Sequence, residues 1–240
     1  MFGVSLFSKH IIIKLKTNKN TLLQCVDTDI NTIWYICAME NVESKAERTR
    51  RFIIETTAPI FNIKGYAGTS MSDLTEATGL TKGSIYGNFE NKEEVALAVF
   101  DHNHAKVQKV IQQHMAKATT HYDKLMVYAR VYDQFTRSSF PQGGCPILNT
   151  AIEADDTHGL LKDRAAKAVT QWKKSIQELA QAGINSGEFK PDTDTLQLAL
   201  SMIALIEGGI MIAKVTSSQS SLDRIMKTVE MLIIQVLIAQ

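Results

Sequence analysis

Helix-start signals recur so closely between residues 70 and 94 that the chain there has room only for short helices and tight turns. Ser44 with Glu47, Ser70 with Asp73 and Asn91 with Glu94 have capping-box spacing, and Thr81 stands as a further cap before Lys82. In such a box the first side chain satisfies an exposed amide of the opening turn, and the second reaches back to the cap. Gly65 and Gly79 supply stops. The predicted order is a long helix from Ser44 toward Ile63, a short helix through Leu74 to Thr78, a turn containing Gly79, a short helix from Lys82 to about Phe89, and a long helix past Val95, Val99 and Val107. Two short helices on a tight glycine turn form the helix-turn-helix pattern, a unit suited to reading DNA.

Apolar residues recur at helical spacing elsewhere too. Ile53, Ile54, Thr57, Ile60 and Phe61 give the first helix a buried face, and Pro59 inside it is expected to bend it near Glu55. Further helices are expected at roughly 122–138, 159–185, 196–215 and 222–238, with polar or glycine-containing breaks between them. No strand pattern of useful length appears. The expected fold class is all-α: an N-terminal three-helix helix-turn-helix domain over residues 43–92, followed by a larger C-terminal helical bundle over 93–240. Residues 1–38 differ in texture, being rich in Ile, Asn, Thr and Lys without a sustained period. They read as a non-native or disordered extension, with the functional chain starting at Met39. A genuine, partly stranded arm is the other reading.

Composition removes several classes. With 45% hydrophobic and 21% charged residues and only 4 prolines, a collagen-like or largely disordered chain is excluded. Cys25, Cys37 and Cys145 are too scattered for a disulfide framework, and no CxxC pair offers a metal site, so no metal or cofactor is expected and the compartment is read as reducing, the cytoplasm. The apolar stretch from Leu196 to Val215 is interrupted by Gln197, Ser201, Glu207, Gly208 and Gly209, which favours a buried helix over a membrane span. His102 and His104 lie two apart, wrong for one helix face, and His158 follows Cys145 at a distance that makes a weak dyad, so no enzyme is expected.

The stretch from Phe61 to Val95, with Gly65-Tyr66, Thr69-Ser70, the Gly79 turn, Lys82-Gly83-Ser84-Ile85-Tyr86, Phe89 and Lys92-Glu93-Glu94, closely resembles the N-terminal domain of the TetR family of bacterial transcriptional regulators. The resemblance implies a one-component regulator, a repressor released by an inducer, whose paired heads bind a palindromic double-stranded operator as a homodimer. It places Arg48, Thr69, Ser70, Thr81, Lys82, Gly83, Ser84, Tyr86, Asn88 and Lys92 at the DNA. Lys82, Gly83 and Ser84 open the third helix, where small residues allow close approach to the groove and phosphates. Tyr86 can donate from its hydroxyl to a phosphate while its ring packs inward, and Lys92 can pair with another. Arg50 and Arg51 join Arg48 as candidates for flanking phosphate contact. Relatives often carry a larger residue and then a histidine where this chain has Gly87 and Asn88. Gly87 offers no side chain to a base, which keeps open the alternative of a helical small-molecule-binding protein with a degenerate DNA-reading unit. Residues 43–103 hold about two more acidic than basic side chains, so any field that attracts DNA comes from local placement of the bases.

The last two helices are apolar on more than one face, through Leu198, Leu200, Met202, Ile206 and Met211, then Ile225, Val229, Leu232 and Val236. A second stripe implies a partner, here a two-fold interface between subunits. In the loop 142–149, Pro146 suits the first position of a helix and sets Cys145 at its cap, where the dipole is expected to lower the thiol pKa. Some members of the family sense electrophiles or oxidants through a Gly-Cys loop, sometimes with a lysine on the penultimate helix, and this makes Cys145 and Lys214 candidate sensor residues. The competing inducer is an unknown small molecule bound without covalent chemistry among Met126, Tyr128, Tyr132, Phe135, Trp172, Ile176, Met202, Ile206 and Met211.

Overall fold

From Lys45 onward the caps organise the chain as read. Helix α1 spans Lys45–Gly68, α2 Met71–Thr78, α3 Lys82–Tyr86, α4 Lys92–Met115, α5 His121–Tyr132, α6 Pro146–Ala154, α7 Gly159–Asn185, α8 Thr195–Thr216 and α9 Gln219–Gln235. The computed structural model describes residues 5–7, 10–16, 21–26, 43–135 and 140–238, in two compact units, Met1–Arg48 and Thr49–Gln240.

The first unit corrects one expectation. Residues 1–38 showed no strand period, yet they hold a three-stranded antiparallel sheet of β1 (Ser5–Phe7), β2 (His10–Lys16) and β3 (Thr21–Val26), in the order β1-β2-β3. Phe7 stands opposite His10, and Lys16 opposite Thr21. The continuous run Ile11 to Ile13 hides the alternation by which a strand is usually recognised. Met39 and Cys37 lie outside the described residues.

In the second unit each predicted cap is made. The Ser70 hydroxyl accepts from the Asp73 amide at 3.1 Å, and the Asp73 carboxylate accepts from the Ser70 amide at 2.7 Å. Thr81 accepts from the Ser84 amide at 3.1 Å, and Asn91 from the Glu94 amide at 2.8 Å. Gly79 ends α2 at a φ of 67°, left-handed backbone that glycine adopts at no steric cost. Pro59 is accommodated inside α1, and the non-helical backbone in that helix falls at Gly65, with φ 74° and ψ 179°. The helix expected over 122–138 ends at Tyr132, and positions 136–139 lie outside the described residues.

Two apolar clusters form. The smaller joins Ile53, Ala58 and Phe61 of α1, Leu74 of α2, Ile85 of α3, Phe89, and Val95, Ala96 and Val99 of α4. The larger begins one residue later on the same helix, at Phe100, and includes Tyr132, Trp172, Ile176, Met202, Ile206, Val229 and Ile233. Helix α4 therefore belongs to both cores, and Tyr66 packs against each. Helix α8 is long and apolar enough by length and composition to cross a membrane. One face of it is used within the fold: Leu198, Met202, Ile206 and Ile210 are buried in the larger core.

Candidate nucleic-acid interface and sensor core

The face expected at DNA is built on a sealed base. Leu74 and Ile85 are fully buried beneath α2 and α3, with Thr78 buried and Met71 packed beside them, which leaves the opposite side of these short helices outward. Ser70, Thr81, Lys82, Gly83 and Tyr86 are exposed and Ser84 is half-buried. Tyr86 is 38% exposed rather than packed inward, and the Lys82 ammonium lies 5.7 Å from its ring centre. Arg48, in the first turn of α1, is exposed and donates to the Glu43 carbonyl.

Other candidates serve the fold. Thr69 is buried, and its hydroxyl donates to the Gly65 carbonyl at 2.6 Å, so that hydroxyl is not turned to a phosphate. The Lys92 ammonium donates to the carbonyls of Tyr66 and Thr69 at 2.8 and 2.9 Å and sits 4.1 Å from the Tyr66 ring centre. It satisfies carbonyls around the end of α1, the favourable place for a cation on a helix dipole. Asn88 turns its amide back to the Ser84 carbonyl at 2.9 Å. Arg50 packs over Phe89 at 3.9 Å and pairs with Glu94 at 2.6 Å, and the Glu94 carboxylate also accepts from the Glu90 amide. These contacts, with the Arg50 guanidinium in the second place after the Glu90 amide, hold the Glu94 carboxyl below its ordinary range. Gly87 adopts right-handed backbone at φ −73°, so its missing side chain is no requirement of the turn.

The loop before α6 is fastened to the end of α1. The Asn62 amide donates to the carbonyls of Gln142 and Gly144 at 2.8 and 2.9 Å, and Asn149 donates to the carbonyls of Asn62 and Gly143 at 2.9 and 3.0 Å. Gly143 is required here, since a Cβ on it would lie 2.9 Å from the Asn62 carbonyl oxygen. From α6, Glu153 accepts from the amides of Tyr66 and Ala67, both at 2.8 Å, where Gly65 breaks the helix. A groove of about 710 Å³ beside this junction is lined in part by Glu55, Pro59, His102, Lys106 and Lys214.

Cys145 caps α6 with Pro146 at the first position, as the spacing predicts, but its expected acidity is overturned. The thiol is fully buried. Burial first, and then the neighbouring Glu207 carboxylate, push it well above its ordinary range, while the amides of Ile147 and Leu148 pull the other way and lose. The helix-terminus effect is present, and desolvation outweighs it. The thiol donates to Glu207 Oε1 at 2.9 Å. Lys214 is the partner of the loop instead, donating to the Gly143 carbonyl and lying 3.4 Å from Asn149 Oδ1. Glu207 escaped the sequence reading because it looked like one interruption in an apolar helix. Its stem is partly exposed, but its head is buried, which raises the carboxyl to about 7. Behind it the Tyr132 ring stacks on Trp172 with centres 4.8 Å apart and planes 11° apart. Of the predicted pocket residues, Met126, Tyr128, Tyr132, Phe135, Trp172, Ile176, Met202 and Ile206 are buried together, and Met211 faces out at 45% exposure. Among the described residues no group of three or more His, Cys, Asp or Glu side chains is placed to hold a metal.

A head of two short helices on a sealed core, joined through α4 to a helical bundle, defines a helix-turn-helix transcriptional regulator. Residues 53–99 match the family described as bacterial regulatory proteins, tetR family, and 121–229 match the tetracyclin repressor-like C-terminal domain. A TetR-family regulator from Cytophaga hutchinsonii superposes with a TM-score of 0.80 at 50% identity, over 82% of this chain and 98% of that one. A TetR regulator from Chloroflexus aurantiacus J-10-FL superposes at 0.78 with 38% identity, over 81% and 99%. The HTH-type transcriptional repressor DhaR of Mycobacterium sp. (strain GP1) is 25% identical over 75% of this chain and 89% of its own length. The chain belongs to the TetR family, and it is a DNA-binding transcriptional regulator.

Proposed function

We propose that this regulator is a cytoplasmic homodimeric repressor that holds a palindromic operator and releases it when a small molecule binds the bundle without covalent chemistry. The observation that carries the reading is the outward face of α3, where Lys82, Gly83 and Tyr86 stand exposed over fully buried Ile85. With Ser70, Thr81 and Ser84 they form the set proposed to meet DNA, phosphate contacts fixing register and the small α3 residues allowing close approach to the groove. The stretch 43–92 is the proposed reading domain and 93–240 the ligand-binding and dimerisation domain.

Dimerisation is supported by a second apolar stripe. Leu196, Leu200, Met211 and Val215 of α8 and Met231 and Ile234 of α9 are exposed, Val215 at 81%. Exposed apolar area of this extent marks an interaction face, and a two-fold pairing through it supplies two heads for two half-sites. Burial of Cys145 favours a non-covalent inducer over an electrophile, because the reactive thiolate is the form that burial disfavours.

A gel-shift series on the DNA upstream of the protein's own coding region tests this. The wild-type protein should shift that DNA, Lys82→Ala with Tyr86→Phe should lose the shift, and Cys145→Ser should shift and release as the wild type does. A double variant that binds as well as the wild type, or a wild-type protein that binds no flanking DNA, overturns the reading.

A further inference from the structure

We propose that the bundle interior binds a small aromatic molecule carrying a protonated amine, with Glu207 Oε2 taking the ammonium and the Trp172 indole donating to an oxygen of the same molecule. This deepens the inducer reading above and rests on it. Among the described residues, the buried side-chain nitrogen and oxygen atoms that lack a hydrogen-bond partner are Trp172 Nε1 and Glu207 Oε2. Buried polar groups are almost always paired, so one orphan donor and one orphan acceptor in the same core ask for a ligand of complementary pattern. They belong to one cluster: Trp172 stacks on Tyr132, burial with Cys145 and Glu207 nearby pushes the Tyr132 hydroxyl well up, and Cys145 donates to Glu207.

The chemistry of the acceptor selects the charge. Oε1 already receives the Cys145 thiol, and Oε2 remains, in surroundings where an ionised carboxylate is poorly tolerated without a cation. The cation that the sequence offers on α8, Lys214, is bound to the Gly143–Asn149 loop. An ammonium on the ligand fills that role, whereas a carboxylate would meet Glu207 with like charge. Tyr132 and Trp172 stack on each other with Tyr128 tilted beside them, so an aromatic body suits this cluster by meeting the ring edges. Both orphan atoms are closed off from solvent, so entry parts α7 and α8, the helices that carry them. Helix α8 also carries Lys214, whose bonds hold the loop that grips α1, and this links occupancy to the head.

Calorimetric titration of the full chain with tyramine tests the assignment, against 4-ethylphenol as its uncharged counterpart and 4-hydroxyphenylacetate as its anionic one. Tyramine should bind saturably, with the other two at least about tenfold weaker. Glu207→Gln, checked for folding by circular dichroism, should bring tyramine down to the level of 4-ethylphenol, and Trp172→Phe should weaken tyramine and 4-ethylphenol alike. Equal binding of the three probes, no binding of tyramine at millimolar concentration, or unchanged tyramine binding by Glu207→Gln overturns the proposal. The gel shift run in parallel separates the two readings. A protein that shifts its DNA but fails the titration remains a regulator with a different inducer, whereas one that binds tyramine through Glu207 but shifts no DNA keeps the ligand site and loses the repressor.

Discussion

The two cores on either side of Val99 are built to different standards. In the smaller one every element that could have been left with loose ends is closed. Ser70, Thr81 and Asn91 cap three helices, Lys92 closes α1 and Arg50 ties Phe89 and Glu94 together. The larger core buries an unpartnered carboxylate oxygen, an unpartnered indole nitrogen and a thiol. A head that presents a fixed surface gains from closure, whereas a bundle proposed to sense a ligand gains from groups left to be satisfied. Local rules are followed where a protein needs one structure and broken where it needs a response.

The contrast can be broken hardest at the head. Leu74→Ala removes a fully buried side chain from a small core with no redundancy and should cost about 2–5 kcal/mol in chemical denaturation, with operator binding lost alongside. In the bundle, Glu207→Gln should go the other way and stabilise. The folded carboxyl titrates near 7 against 4.5 for its ordinary value, so between these pH values the folded state holds the extra proton. The contribution of this carboxyl to stability is therefore greatest below 4.5, falls as pH rises through that window, and levels off above 7, at a cost on the order of 3 kcal/mol. Denaturation midpoints across pH 4 to 8 should show this fall in the wild type and a flatter line in Glu207→Gln. Ser70→Ala, which opens one capped end of the head, should cost about 1 kcal/mol. Smallest is Gly87→Ala, expected to add about 0.4–1 kcal/mol by thermal melt, because the backbone is right-handed there and a Cβ would meet its neighbours at ordinary distances of 3.4 and 3.5 Å.

The head was legible because its signals are local. A cap and its partner stand three residues apart, and Ser70 with Asp73 can be read without knowing the fold. The Cys145–Pro146 helix start was legible for the same reason. What the thiol experiences was not, since its burial and its Glu207 partner come from a helix 62 residues away. The same distance effect governs Lys92 and Thr69. Both look like surface groups in sequence, and both are claimed by the end of α1. The strands Ser5–Phe7, His10–Lys16 and Thr21–Val26 entered the reading only as the second alternative, because the unbroken run Ile11 to Ile13 carries no alternation to read.

Glu153 at the break in α1 has a thermodynamic consequence. Its carboxylate holds the Tyr66 and Ala67 amides, and Asn62 and Asn149 clasp the glycine loop beside it, so much of the joint between head and bundle is made of polar bonds. Such bonds can be exchanged for water while uncovering little apolar surface beyond that of Tyr66, and apolar and polar exposure move heat capacity in opposite directions. A turning of the head on the proposed induction should therefore carry a small heat-capacity change, and a calorimetric trace would report mainly the bundle.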